Sequence, residues 1–298
     1  MSTSVLYDTP GPKAKRRVLF FSVLAAVGLL AVGYIVYRQL DKQDQFDETK
    51  WSPLFDPSDK DFELVWQRLG EALVATLVAA ALAVVFSLII GTLLAVTRVT
   101  AARSYRWAVV GLIELLRGIP VVIMIFFVAR VLPEYGVDVE PLWFLVIGLT
   151  LYNSVVIAEI VRAGINSLPR GQREAAESLG LTRGQTLRLV LLPQAFRAML
   201  PALISQLVVV LKDTSLGFII SYEETVRVAG QIVQVLGNPI QTYLLIAVIF
   251  ILVNYALGRL AVYVERRLSR GKKTAKTKEG AATLHADDLA GAGATNVG

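Results

Sequence analysis

The chain has 298 residues, of which 55% are hydrophobic, and its formal net charge is +6. A mean hydropathy of +0.58, together with apolar runs of about 20 residues, is typical of a polytopic membrane protein and excludes a soluble globular domain. The sequence has no cysteine and a single histidine, His285, which excludes a disulfide framework and a thiolate metal site. Its basic residues lie beside the apolar runs, so the charge predicts membrane orientation and not nucleic-acid binding.

The N-terminal region, residues 1–65, contains the first predicted span and an acidic segment. The apolar run Val18–Tyr37 follows a basic cluster that ends at Arg17. This run is longer than the core of a signal peptide and lacks a small-x-small cleavage site, so we interpret it as a retained span. Residues 39–64 are rich in Asp and Glu, which predicts an external segment that lies along the outer surface.

Five further spans are predicted, and the loops between them alternate in charge. Their approximate bounds are Leu69–Val96, Trp107–Val131, Leu142–Ile165, Leu191–Leu211 and Gln241–Val264. Arg98, Arg103 and Arg106 follow the second span, and Glu134 follows the third. By the positive-inside rule, this pattern places both termini and the segment 170–193 in the cytoplasm.

Two regions outside the spans have a mixed composition. Residues 217–238 combine acids with apolar positions, which predicts short helices packed at the outer face. Residues 269–298 begin as a basic cytoplasmic tail and become rich in Gly and Ala, a composition that favours disorder.

The segment 170–193 is the longest charged stretch between two predicted spans. Its pattern predicts two short helices, the first from about 172 to 179, with Gly180 in the left-handed position that ends a helix. Thr182 would open the second helix, with Gln185 three residues later as in a capping box. Small residues on the first helix would let another protein approach closely. The alternative interpretation is an ordinary amphipathic cytoplasmic loop.

This segment resembles the EAA loop of ABC-importer permeases. The resemblance is carried by Glu174, Ala175, Ala176, Gly180, Leu192 and Pro193, with Val190 where that family usually has isoleucine. Over residues 66–268 the chain is also similar to the polar-amino-acid branch of the family. Three motifs carry this narrower match, which is strongest with glutamate-uptake permeases: Glu114–Pro120, Ala158–Ile165 and Leu211–Leu216.

The resemblance implies an all-α, type I ABC-importer permease fold, in which a five-helix core carries one additional N-terminal helix. The implied partners are ATPase subunits that bind ATP and Mg²⁺, a second permease subunit and an extracytoplasmic amino-acid-binding protein, assembled in a bacterial inner membrane. Residues 170–193 would then be the coupling element. Gly271–Thr274 lacks the spacing of a phosphate loop, so ATP hydrolysis is assigned to a partner. The chain is therefore interpreted as a transport subunit without a cofactor of its own.

Ionisable residues inside the predicted spans are candidates for the substrate pathway, because a charge in the bilayer costs about 3 kcal/mol. The candidates are Glu114 and Arg117 beside Gly118, Glu159 with Arg162, and the run Lys212, Asp213 and Thr214. The alternative is an internal ion pair that fixes helix packing, which we favour for Glu159 and Arg162. Arg117 lies deeper, beside a Gly-Ile-Pro sequence that can break the helix, where its guanidinium could bind a carboxylate.

Two other classes of function are weighed against an ABC permease. A carrier driven by an ion gradient would use Glu114 and Asp213 as coupling sites, but the sequence has no visible inverted repeat. A membrane enzyme would need converging catalytic groups, and the one histidine lies in the tail. The sequence leaves open which amino acid is carried and whether the permease pair is homomeric.

Overall fold

The computed structural model describes residues 11–100 and 103–269, and most of these residues are helical. The helices are α1 (Pro12–Asp41), α2 (Glu48–Phe55), α3 (Phe62–Thr100), α4 (Arg103–Gly118), α5 (Val121–Glu134), α6 (Pro141–Asn166), α7 (Arg170–Ser178), α8 (Arg183–Gln185), α9 (Leu192–Asp213), α10 (Thr225–Leu236) and α11 (Pro239–Ser269). A π-helical turn, Thr186–Leu191, precedes α9, and a 3₁₀-helix, Thr214–Ile220, follows it. The predicted tail from residue 270 onward lies outside the described residues.

The prediction of an all-α protein with six spans is confirmed. Within the two described ranges there is no strand, and five helices are long and apolar enough to cross a membrane. The number is six when the bent pair α4–α5 is counted as one broken span. The short helices predicted for residues 217–238 are also present, as the 3₁₀-helix and α10.

The third predicted span is not one straight helix. The chain bends by 101° between α4 and α5. Pro120 causes this break, because it has no N–H to continue the helix and it restricts the residue before it to extended conformations. The Gly-Ile-Pro sequence therefore breaks the helix, as its composition indicated.

Helix α6 is the centre of the fold, with buried residues along its whole length. It runs beside α3 at very short range. A Cβ at Gly91 would lie only 2.6 Å from the carbonyl oxygen of Ser154, so this close approach requires glycine. Helices α5 and α9 pack on other faces of α6, and α11 packs on α9.

Helix α1 has no buried residue and lies apart from this core. The acidic segment that follows it is held against the start of α3 and against α10 by α2. Leu54 is fully buried there with Leu69 of α3 and Ala229 of α10. The Trp66 indole N–H donates to the carbonyl oxygen of Leu54 at 3.0 Å. The segment is anchored by buried Pro53 and Leu54 and by side-chain hydrogen bonds from Asn238 and Gln241 to its backbone. Its position at the outer membrane surface stays a prediction.

Candidate coupling element and translocation pathway

Helix α7 ends in a tight turn that its sequence dictates. Gly180 has φ = +78°, a left-handed conformation that glycine adopts without a steric penalty. The Gly180 N–H donates to the Glu177 carbonyl at 3.0 Å and the Leu181 N–H to the Ala176 carbonyl at 3.2 Å. These two bonds form a Schellman motif, which satisfies the last carbonyls of the helix. The predicted helix end at Gly180 is confirmed.

The second half of the segment begins as predicted and then departs from the prediction. Thr182 and Gln185 form a reciprocal capping box, in which the Thr182 N–H donates to Gln185 Oε1 at 2.9 Å. The helix runs into Leu192 and Pro193 as predicted, with helical structure continuous from Arg183 to Ile220, and it departs from the prediction only in passing through a π-helical turn. The π-helical turn before Pro193 accommodates the missing proline N–H, which would have left a carbonyl unpaired in an ordinary α-helix.

The protrusion formed by residues 170–185, hereafter the knob, presents a small exposed surface. Glu174 and Ala175 are exposed. Leu179, at the tip, is 83% exposed, and the sequence analysis did not single it out. Of the two motif alanines expected to let a partner approach closely, only Ala175 is exposed, because Ala176 is buried inside the chain. Helix α7 packs on the π-helical turn Thr186–Leu191, hereafter the stem.

A glutamine pair connects the knob to the membrane helix. The Gln194 side-chain amide, in the first turn of α9, donates to Gln172 Oε1 of α7 at 3.0 Å. The same amide donates to the Val190 carbonyl at 2.9 Å, in the turn where the proline interrupts the backbone pattern. Leu192 is half-buried and Pro193 is exposed beside this pair. The knob is thus fastened to α9 through side chains as well as through the chain itself.

Two cavities flank the knob. One, of about 390 Å³, lies between the end of α6 and the start of α7 and includes Pro169 and Glu174. The other, of about 440 Å³, lies between the end of α3 and the knob and includes Thr100 and Glu177. Arg173 lines both cavities, so a basic side chain stands between two depressions beside the exposed tip.

Glu159 is held between two arginines at the inner ends of α3 and α6. Arg98 Nη1 lies 2.7 Å from Glu159 Oε2, and Arg162 Nε donates to Glu159 Oε1 at 3.0 Å. The Arg162 Nη2 also contacts the same oxygen. The internal ion pair expected for Glu159 and Arg162 is present, and Arg98 extends it to a neighbouring helix. A role of these residues in the substrate pathway stays a prediction.

Glu114 and Arg117 form a looser pair on α4. The Arg117 Nη1 to Glu114 Oε1 distance is 3.7 Å, and the two side chains are about half exposed. Helix α4 packs on α6 through Ile113 and Val155, while the charged pair lies on the uncovered side. Gly118 ends α4 immediately before the bend. The arginine is therefore accessible next to a broken helix. A role of Glu114, Arg117 and Gly118 in the substrate pathway stays a prediction.

The three candidates at the end of α9 differ in their surroundings. Lys212 is exposed, Asp213 is half-buried, and Thr214 is fully buried. The Thr214 hydroxyl donates to the Leu211 carbonyl at 2.6 Å, so this side chain is used within the helix. Lys212 and Asp213 make no ion pair within 4.0 Å in the part of the chain that the structure describes. A role of these three residues in the substrate pathway stays a prediction.

Comparison with known proteins gives a consistent family. Residues 87–270 match the family model of the binding-protein-dependent transport system inner membrane component. The chain is 41% identical over 237 residues to the glutamate transport system permease protein GluD of Corynebacterium glutamicum, covering 78% of this chain and 85% of that protein. It is 32% identical to the glutamate/aspartate import permease protein GltK of Escherichia coli O157:H7, covering 67% and 92%.

A solved structure supports the same conclusion at the level of the fold. The crystal structure of an amino acid ABC transporter with histidines superposes with a TM-score of 0.62 at 29% identity, covering 67% of this chain and 94% of that chain. From the family match, the relatives and this fold, the chain belongs to the binding-protein-dependent inner membrane permeases and is a transport subunit of an amino-acid ABC importer.

Proposed function

We propose that this chain forms the translocation pathway of an ATP-driven importer whose substrate is an acidic amino acid, with glutamate first. Support for glutamate comes from the relatives, whose names specify glutamate or glutamate and aspartate. The accessible Arg117 beside the α4–α5 break suits an anionic substrate, because a guanidinium can bind a carboxylate through two parallel hydrogen bonds.

The observation that carries ATP-driven transport is the knob and its rigid connection to α9. A partner ATPase that grips the exposed Leu179 and Glu174 would act on a lever continuous with helical structure up to Ile220. Closure of an ATPase dimer would then move α9 as a rigid body. The ATP and Mg²⁺ belong to that partner, and a second permease subunit completes the pathway.

The assembly is placed in a bacterial inner membrane, with an extracytoplasmic binding protein that delivers the amino acid. Both termini would be cytoplasmic, because Arg16 and Arg17 precede α1 and Arg266 and Arg267 end α11. Fusions of a reporter that is active only outside the cytoplasm test this topology. They are expected to be active after residue 57 and inactive at either terminus.

The proposal is tested by purifying the chain from its native membrane in mild detergent and identifying the proteins that accompany it. Recovery of an ATPase subunit and of a soluble binding protein that binds glutamate is expected. Leu179→Ser is expected to lose the ATPase, while Leu189→Ser, at an exposed leucine of the stem, is expected to retain it. A stable complex without any ATPase would contradict the proposal and favour a carrier driven by an ion gradient.

A further inference from the structure

A polar layer crosses the membrane interior where α3, α6 and α9 meet. Asn153 of α6 is fully buried, and Gln206 of α9 is half-buried beside it. The Gln206 amide donates to Asn153 Oδ1 at 2.7 Å, and the Asn153 amide donates to the Leu149 carbonyl at 2.9 Å. This is a hydrogen bond between side chains of two different spanning helices.

The layer separates two apolar clusters. Leu149 and Val210 belong to the cluster on its outer side, together with Ala83 of α3. Ile157 and Leu203 belong to the cluster on its inner side, together with Ala95 of α3. Polar side chains thus interrupt an otherwise apolar interface at the same level of all three helices.

Two hydroxyls in the layer have no partner. Ser87 of α3 is fully buried and Thr150 of α6 is 6% exposed, and neither side-chain oxygen makes a hydrogen bond. The contact of Gly91 with Ser154 fixes the register of α3 against α6. Ser87 lies one turn before Gly91 in α3, and Thr150 lies one turn before Ser154 in α6. The register therefore places Ser87 opposite the turn from Thr150 to Asn153. Apolar residues would pack here without unpaired groups, so the layer is not explained by packing alone.

Gln206 is well placed to set the rotation of α9. Asp213 follows it by seven residues, about two helical turns, and therefore lies on the same side of the helix. Between apolar surfaces, a helix can rotate at small energetic cost, whereas a hydrogen bond between side chains in a membrane fixes one orientation. A fixed rotation at Gln206 determines where Asp213 and Lys212 point.

We propose that Asn153 and Gln206 are positioning residues that hold α9 in the rotation at which Asp213 and Lys212 face the substrate pathway. This inference rests on the proposed transport function for its meaning, but the rotation itself is measurable without transport. The pathway candidates predicted from the sequence were chosen for their charge. Asn153 and Gln206 are neutral amides and were therefore not among them.

The test uses the absence of cysteine from the chain. Single cysteines are introduced at Ile204, Ser205, Val208 and Val209. Ile204 and Val208 are half-buried, hereafter the covered positions, and Ser205 and Val209 are exposed. Their rates of reaction with a water-soluble maleimide are measured in the purified complex with its ATPase. In the Asn153→Leu and Gln206→Ala backgrounds, the ratio of covered to exposed rates is expected to change about fivefold, the effect of one net hydrogen bond.

The controls separate rotation from general damage. The exchanged pair Asn153→Gln with Gln206→Asn keeps one amide on each helix and is expected to restore the labelling ratio and most glutamate uptake. Ser205→Ala, which removes a hydroxyl that bonds within α9, is labelled at the other three positions and is expected to change neither. If the covered and exposed positions react at the same rate in Asn153→Leu, that variant has misfolded. Gln206→Ala, at the half-buried residue of the pair, then tests whether α9 rotates.

Two results would overturn the inference. The first is an unchanged labelling ratio in both single variants, and the second is failure of the exchanged pair to restore it. If the complex does not transport glutamate at all, the proposed function fails while the labelling result still stands. The two failures are therefore distinguishable.

Discussion

Gln194, in the first turn of α9, donates a 3.0 Å hydrogen bond to Gln172 in α7 and so fastens the knob to a spanning helix. The two residues are far closer in space than their positions in the chain suggest, because the chain reverses at Gly180. A force on the exposed tip is therefore transmitted through two routes, the backbone at Arg183 and this side-chain bond. The bond has a direct consequence for coupling.

Gln194→Leu is expected to reduce the amount of substrate moved per ATP hydrolysed. Loss of one net hydrogen bond, about 1 kcal/mol, makes the undocked position of the knob about fivefold more populated. ATPase activity and uptake are measured together in the reconstituted complex. Ser178→Ala, which removes an exposed hydroxyl bonded within α7, serves as the control and should keep the normal ratio. A normal ratio in Gln194→Leu would show that the backbone alone transmits the force.

Gly180→Val is expected to disrupt the knob through its backbone. No atom lies within 4 Å of a Cβ at this position, so the cost arises from φ = +78° and not from a collision. A left-handed β-branched residue costs about 1–2 kcal/mol. Uptake and ATPase recovery should fall in Gly180→Val and be largely retained in Gly180→Asn, since asparagine tolerates this conformation. Equal behaviour of the two variants would contradict this explanation.

Arg117→Ala is expected to lower glutamate uptake while leaving the complex assembled. The side chain is about half exposed and its only ion pair in the described structure, with Glu114, is 3.7 Å long, so its removal costs the fold little. Uptake kinetics and co-purification of the ATPase are compared with those of Arg130→Ala, an arginine of α5 with no described ion pair. Unchanged kinetics would assign Arg117 a structural role.

Because Glu159 pairs with both Arg98 and Arg162, replacing Glu159 is expected to reduce stability more than replacing Arg98. Glu159→Gln leaves Arg98 and Arg162 facing each other without a carboxylate, whereas Arg98→Gln leaves Glu159 paired with Arg162. Glu159→Gln should therefore destabilise the protein more, by on the order of 1–3 kcal/mol, the range for hydrogen bonds to charged groups. Thermal unfolding midpoints in detergent measure the difference. A larger loss in Arg98→Gln would contradict the shared role of Glu159.

Glu224 predicts a dependence of stability on pH. Its carboxylate caps α10 by accepting from the N–H groups of Val226 and Arg227, yet burial raises its pKa from 4.5 to about 7. Between these two values the folded protein holds a proton that the unfolded chain has lost. Stability therefore falls as the pH rises from about 4.5 to about 7 and changes little from this group above that.

The matched variant is Glu224→Gln, which keeps an acceptor oxygen but cannot ionise. Its thermal midpoint should decline less than that of the parent protein between pH 5 and pH 8. Glu223→Gln, at the neighbouring position, serves as the control and should retain the parent slope. Parallel profiles for Glu224→Gln and the parent would show that Glu224 does not control this dependence.

The features that sequence reasoning predicted correctly depend on local rules. Gly180 ends a helix and Thr182 caps the next because these residues act within one turn of the chain, and Pro120 breaks a helix wherever it stands. The six spans follow in the same way, since each is a local run of apolar residues.

The features that it missed depend on contacts between distant residues. Arg98 was interpreted only as a marker of the cytoplasmic side, because its pairing with Glu159 requires α3 and α6 to lie in register. Ala176 was expected to be available to a partner, but it is buried because α7 packs on the stem. Asn153 and Gln206 carry no charge, so their pairing had no signal in the sequence. The π-helical turn before Pro193 was also missed.

The central claim is that movement of the knob by a partner ATPase drives uptake of glutamate. The most direct test is uptake of labelled glutamate by liposomes that contain the purified complex, with ATP inside and the binding protein outside. Uptake should require both ATP and the binding protein, persist when an uncoupler removes ion gradients, and be lost in Gly180→Val. Uptake that proceeds without ATP and collapses with the uncoupler would contradict the account.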